Sequence, residues 1–594
     1  MFLRSVKVSD RKGGSYEYVR LVESYREGGR SKQRVVCNLG PKELLAAHLD
    51  SLVNLLGGSR QPGALEDLRD VEASNWGPLL VASHLWRELG LESAIDRLAG
   101  RARSDGVALA DRALVLVANR LCTPTSEHGL ARWLETDYVC DRSGRRFVPE
   151  WRDDEERRAS KMPRVRVAFR QLKQWYRTLD QLLARKEEIE RELYLHLRDL
   201  FSLKVDLVFY DLTSTYFEGS GPPAMGAHGH SRDGKPRKRQ VLVGVVMVGG
   251  WPIAHHLFRG NMRDAMTVPT ILDDIQHRFG LERVIFVGDR GMVTIANIEQ
   301  LRARGQGYVV GLQRRNREDV YRYVDAAKGR WIPCPGGVTA REKNAPPKTM
   351  VQEVAGNQAG VRVFVVHSDE RLAYEQGQRK KAMERVRVEL KALAVRVSSG
   401  KLKAPDKIGA AAARIVARNH GSRYYDWEYK DGQFRYFEHP VNLTREKAYE
   451  GKYVIQTEEA ALSPLDAVRI YKELNDVERG FASLKDVLEM RPVWHQTDDR
   501  VEAHIFVAAL ALVLHRGLEK KLKAAGLDLS ATEALQLLQT VRVLECETKD
   551  GNQHRRVTRG SARAAAVLDA LGITDLEPPV PSSPGQNPRV MTNA

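Results

Sequence analysis

Cysteine is scarce in this chain. Only five of its 594 residues are cysteine, at positions 37, 122, 140, 334 and 546, and no two form a CxxC pair, so neither a zinc ribbon nor a disulfide framework is indicated. The expectation is a set of reduced, cytosolic thiols. Long hydrophobic runs are lacking as well. The longest, around Val241 to Trp251 and Ile505 to Leu514, fall short of the roughly 18 residues that cross a bilayer, and no secretory apolar core stands at the N-terminus. Together these absences predict a soluble cytoplasmic protein. What the chain holds in excess is positive charge: 94 Lys and Arg against 77 Asp and Glu, a formal +17, with a pI near 9.5. Such a surface attracts polyanions, of which nucleic acid is the commonest. A 42% hydrophobic and 29% charged composition allows ordinary globular cores, and the length suggests three or four domain-sized units.

Along the chain the hydrophobic period changes several times. Residues 1–60 hold β-branched and aromatic alternation on either side of Gly28 and Gly29, which predicts a basic β-hairpin region. Residues 61–200 turn helical, with Leu80, His84, Leu85, Leu89 and Leu91 near helical spacing. This part is read either as a plain helical bundle or as a DNA-end-binding domain, since no helix-turn-helix signature decides between them. A polar linker around 141–158 precedes a long amphipathic helix expected from about Arg164 to Leu200. Between 314 and 445 strand and helix signals mix, which predicts an inserted domain, and 516–576 reads as helical and basic. Residues 577–594 are rich in Pro, Ser and Gly and are expected to be a disordered tail.

Three acids stand at telling places. VDLVFYD, ending at Asp211, is too short and too β-rich for a helix and reads as a buried strand with the acid at its carboxyl end. RVIFVGD repeats the pattern and ends at Asp289. Neighbouring strands lie roughly 5 Å apart, so two such carboxylates can share a metal ion. The third acid lies in YKELNDVERGFASLK, where Tyr471, Glu478 and Lys485 follow one another at seven-residue steps on one predicted helix. Each such step drifts by only about 20° around the axis, so one stripe carries a phenol, a carboxylate and an ammonium. A single aspartate of this kind is often only a turn former. Three in this arrangement point to a metal centre.

With these segments on the page, the chain resembles the DDE transposases of bacterial insertion sequences. YDLTSTYFEG, VGDRGM and YKELNDVERGFASLK are similar to the insertion-sequence-4 superfamily, in its large-transposase branch, whose third acid lies in a Tyr-x2-Arg-x3-Glu-x6-Lys signature. Tyr471, Glu478 and Lys485 match it in spacing. Leu474 stands at the Arg position, and Arg479 is a replacement charge about 100° away on the helix. The resemblance extends from about Leu203 to Leu514. It implies an α/β fold with an RNase H-like core, a mixed five-stranded sheet with flanking helices, in two parts at 201–313 and 446–515 separated by a largely β insertion at 314–445. Asp211, Asp289 and Glu478 would be the catalytic metal ligands, holding two Mg²⁺ ions for which Mn²⁺ can substitute. Tyr471, Lys485 and Arg479 would contact DNA. The implied activity is metal-dependent cleavage at terminal inverted repeats and cut-and-paste strand transfer into target DNA, by a homodimer in the DNA-bound complex, cytoplasmic and at the nucleoid when bound. A metal-dependent DNA nuclease of the same fold, and a catalytically inactive DNA-binding relative, are the alternatives.

Several other signals carry less. GHSRDGK, Gly229 to Lys235, matches most of a phosphate-binding loop, but Pro236 replaces the metal-holding Ser or Thr, so it reads as a mobile basic loop near DNA. His255, His256, His504 and His515 lie in or beside apolar segments where no acid or Cys completes a ligand set nearby, and read as packed or polar-edge residues. Tyr424, Tyr425 and Trp427 are taken for sheet packing, with base stacking as the alternative, and Trp494 for core.

Overall fold

The computed structural model of the chain describes residues 2–9, 15–27, 30–42, 68–100, 106–150, 171–201, 207–292, 294–313, 318–334, 349–418, 420–548 and 553–580. The acidic half of the expected linker, the start of the long helix and the tail beyond 580 lie outside the described residues.

Strands β1 (Phe2–Ser9), β2 (Ser15–Glu27) and β3 (Arg30–Pro41) form an antiparallel sheet. The predicted hairpin is the β2–β3 pair, which closes at Glu27 opposite Arg30, and β1 adds a third strand along β2. β4 (Leu68–Asn75) follows, then, among the described residues, six helices between Gly77 and Phe201. The single long helix expected before Leu200 is two, Leu172–Leu183 and Lys186–Phe201, with a break at 184–185.

The main sheet is larger than the five strands expected. β5 (Leu207–Tyr216), β6 (Gln240–Val248), β7 (Trp251–Arg259), β8 (Ile285–Gly288) and β9 (Gly307–Gly311) are continued by β10 (Ile332–Pro333), β11 (Thr349–Ala355) and β12 (Arg362–Ser368). The hairpin of β13 (Tyr425–Lys430) and β14 (Gln433–Glu438) stands apart, and β15 (Lys452–Thr457) returns to the sheet. The nine strands run in the order β10-β11-β12-β15-β9-β8-β5-β6-β7, with β5–β8 and β8–β9 parallel and all other pairs antiparallel. Parallel neighbours need a crossover, and helix Ile295–Ala303 supplies the one between β8 and β9. Every residue of β6 is buried, which is why QVLVGVVMV is a continuous apolar run rather than an alternating one.

The insertion is not largely β. Its first strands join the main sheet, and most of the rest is the 30-residue helix Asp369–Ser398 and the 14-residue helix Pro405–Arg418. Val386, Leu390, Leu393 and Val397 recur at helical spacing and are buried with Ile408, Ala412, Tyr424, Tyr425 and Phe434 in a small core of their own. The 516–576 region is likewise only partly helical. β16 (Arg542–Thr548) and β17 (Gln553–Val557) make a three-stranded sheet with β4, order β17-β16-β4. Helix Asp498–Ala524 is apolar enough to cross a membrane, but 83% of its apolar window is buried inside the protein, where it packs on helices Leu109–Cys122 and Leu172–Leu183 and on β7. It is a core helix.

Candidate active site

Asp211 is not at the end of its strand, since β5 continues to Tyr216. What ends beside it is the neighbour. β8 pairs with β5 only from Leu207 opposite Ile285 to Tyr210 opposite Gly288. Asp211 is therefore the first β5 residue past the end of β8, and Asp289 is the first residue after β8. The parallel register sets the two side by side at about the 5 Å strand spacing.

Glu478 reaches the same place from helix Pro464–Ala482. Ser463 caps this helix by accepting from the Asp466 amide, and Pro464 occupies its first turn. Ile470, Leu474, Val477 and Phe481 are buried, and the helix lies across β5, β8 and β9. Leu474 is thus a core residue, so the signature Arg position faces the sheet and not a phosphate. Asp211, Asp289 and Glu478 together line an open cleft of about 260 Å³.

Charge in this cleft is poorly balanced. Burial pushes the Asp211 carboxyl up to about 7, and the nearby Asp289 and Glu478 carboxylates push it the same way, while the Leu212 amide and Arg232 oppose them. Glu478 keeps contact with solvent, yet desolvation and then Asp289 also raise it, against the pull of Arg290. Two further residues, Asp264 and Arg232, line the cleft and pair with each other at 2.7 Å. No periodicity marks Asp264, which sits in a short turn helix.

The residues expected to hold DNA have other partners. Tyr471 Oη lies 3.5 Å from Asp289 Oδ1, at the outer limit of a hydrogen bond, and its ring stacks on Tyr453. That close fit needs Gly311, where a Cβ would come within 2.2 Å of the Tyr471 hydroxyl. The phenol backs the second acid. Lys485 lies in a π-helical turn, Ser483–Val487, that continues the helix. It pairs with Asp233 at 2.7 Å, and Arg491 pairs with the same carboxylate oxygen. Asp233 belongs to the loop read as mobile. This loop is anchored, because Asp233 is 1% exposed and the Arg232 amide donates to Ser214. It is no phosphate-binding loop, as neither strand nor helix flanks it directly. Arg479 is exposed and pairs with Asp476, one turn earlier.

The histidines are packed as expected, but each has an acid beside it, which the fold brings from afar for His255, His256 and His504 and the same helix supplies for His515. His255 Nδ1 is 2.7 Å from Glu190 and His256 is 2.9 Å from Asp274, while His515 is 3.7 Å from Glu519. His504 joins Glu127 and His495. Tyr424 and Tyr425 are buried and Trp427 stacks on Phe434, in keeping with sheet packing. Trp494 is 52% exposed, so the core reading fails there.

Two protein-family models match the chain. The transposase DDE domain matches residues 206–514, just over half of its length, and the IS1634 family transposase N-terminal domain matches residues 5–62. No curated protein matches. Among solved structures, the piggyBac transposase synaptic complex with hairpin DNA aligns over 79% of this chain and 82% of that one, at 10% identity and a TM-score of 0.32. That likeness is too slight to carry an argument.

Proposed function

Since the chain belongs to the DDE transposases and is a DNA transposase, we propose that Asp211, Asp289 and Glu478 are its catalytic acids in a cut-and-paste reaction. One observation carries the reading: two aspartates meet in register where a short parallel strand ends, and the glutamate of the overlying helix lines the same cleft. The order β7-β6-β5-β8-β9, antiparallel on one side of β5 and parallel on the other, supports an RNase H-like core to which β15, β12, β11 and β10 are an extension. The spacing of Tyr471, Glu478 and Lys485 supports placement in the insertion-sequence-4 superfamily.

The cleft suits divalent cations by its own chemistry. Its donors are hard carboxylate oxygens, and the burial and like-charge repulsion that lift Asp211 are offset by a cation. Three carboxylates from three elements can hold two such ions. Asp211 would hold both, and Asp289 and Glu478 one each, with Mg²⁺ the natural choice and Mn²⁺ a substitute. Such ions, when bound, supply Lewis acidity to the attacking and leaving oxygens of an in-line displacement. The remaining residues position: Tyr471 backs Asp289, and Lys485 with Arg491 clamps the Asp233 loop beside the cleft. Cleavage by water frees a 3′ hydroxyl at the element's end, which then attacks target DNA in the same cleft. A homodimer pairing two terminal repeats, at work on cytoplasmic DNA, completes the reading.

Asp289→Asn and Glu478→Gln are expected to abolish Mg²⁺-dependent nicking of end-bearing DNA while end binding survives. Wild-type nicking by either variant refutes the assignment. Cleavage by the wild type without inserted products would make the protein a nuclease of the same fold.

A further inference from the structure

Away from the acidic cleft, three side chains from two distant parts of the sequence converge. Glu127 comes from the turn after helix Leu109–Cys122, His495 from the loop behind the helix that carries Glu478, and His504 from helix Asp498–Ala524. One ligand atom of each lies within 4.8 Å of the other two. Glu127 Oε1 is 3.5 Å from His495 Nε2 and 4.0 Å from His504 Nδ1, and no member's side chain is more than 12% exposed.

We propose that Glu127, His495 and His504 form a transition-metal site, taking Zn²⁺ or a chemically similar ion, that fastens the N-terminal helical layer to the segment behind the third acid. Two imidazoles and one carboxylate are a donor set that zinc takes, with water in the fourth position. Metal–ligand bonds of about 2.0–2.2 Å in a tetrahedron put ligand atoms roughly 3.3–3.6 Å apart. The observed 3.5 and 4.0 Å need only a small contraction.

His504 supplies the second line of argument. Its Nε2 lies 3.2 Å from the Met490 carbonyl, a partner that can only accept, so the ring proton sits on Nε2. Nδ1 is then a bare lone pair, buried and without a hydrogen bond, turned toward the Glu127 carboxylate. Two electron-rich atoms facing one another repel, and a cation between them converts both into ligands. A backbone carbonyl on the far nitrogen is how metal-binding imidazoles are commonly oriented.

The rival is a metal-free network in which His495, His504 and the buried Arg120 balance Glu127 directly. Arg120 donates to the Glu489 carbonyl at 3.2 Å, so either arrangement ties the same two segments. Between Glu489 and His495 lies Arg491, which clamps the Asp233 loop. The site is structural, and it stands whether or not the three acids are catalytic.

The test uses the full chain, loaded with Zn²⁺ and dialysed against excess Mg²⁺, with metal counted by elemental analysis. About one zinc per chain is expected, and replacement by Co²⁺ should give the visible d–d bands of a four-coordinate site. Asp289→Asn, which disables the acidic cleft, should keep the zinc, whereas His504→Ala and the nearly isosteric Glu127→Gln should each lose it. A wild-type chain that retains no zinc and gives no such cobalt spectrum overturns the proposal. So does zinc lost in Asp289→Asn and kept in Glu127→Gln, which would assign the metal to the cleft.

Discussion

Asp211 and Glu190 are both carboxylates withdrawn from water beside the main sheet, one on β5 and the other against β7, and their protons go opposite ways. Burial raises both. At Glu190 the Lys186 ammonium, His255 and the Arg278 guanidinium outweigh it and hold the carboxyl far below its usual range. At the half-buried Asp211 two neighbours are themselves acids, which with desolvation outweigh Arg232 and the Leu212 amide, and the carboxyl rises to about 7. A buried charge surrounded by its counter-charges is structural and finished. One surrounded by like charges awaits a cation from outside, and such unbalanced groups gather at functional sites.

The sharpest way to break this contrast is to remove the balanced acid. Glu190→Gln removes the acid shared by Lys186, His255 and Arg278, leaving Lys186 with Glu502 and Arg278 with Asp274, and should cost about 3–5 kcal/mol in urea unfolding. A loss under about 1 kcal/mol would show that the network carries little. The unbalanced acid should respond with the opposite sign. Its folded-state value lies above the ordinary 3.8, so the folded chain keeps a proton that the unfolded chain releases. That stabilising contribution is full below about pH 4 and is lost as pH rises through about 7. Without metal, Asp211→Asn should therefore melt about 2 °C higher than wild type at pH 8 and no higher at pH 4. Mg²⁺ protection of the wild type should weaken as pH falls below 7, because protons compete for the same oxygens. A pH-independent Mg²⁺ effect would contradict the raised value.

Two smaller effects test the surroundings of the acids. Gly311→Ala should displace the Tyr471 hydroxyl and slow strand cleavage on the order of tenfold to a hundredfold, with end binding intact. A loss of binding in its place would return Tyr471 to the role of holding DNA. Arg479→Ala should change stability by no more than about 0.5 kcal/mol. If Arg479 touches phosphate, the salt dependence of end binding should lose about one unit of slope. An unchanged slope removes it from the DNA interface.

Much of the site was legible because it rests on local patterns. Two short apolar runs ending in aspartate and a seven-residue spacing on one helix are carried by neighbouring residues, and the structure brings Asp211, Asp289 and Glu478 into one cleft. Errors arose where pairing partners are remote. The strand carrying Asp211 was expected to stop at the acid, yet hydrogen bonds to β6 carry it to Tyr216. The insertion was expected to be largely β only because the resemblance implies it, whereas its own strand and helix signals were mixed and Val386, Leu390, Leu393 and Val397 fall at helical spacing. Asp233, Asp264 and Glu127 gave no signal, since isolated acids in loops look like turn formers.

Composition and local order alone determined the attraction to polyanions, the strand and helix identity around the three acids, and the resemblance that led to a transposase, because charge, period and spacing are properties of adjacent residues. The tertiary structure alone decided which charges are answered. It closed Lys485 on Asp233, turned Leu474 into the core, set Tyr471 against Asp289 and brought Glu127 to His495 and His504. Each of these depends on segments whose separation in the chain says nothing about their distance in the fold.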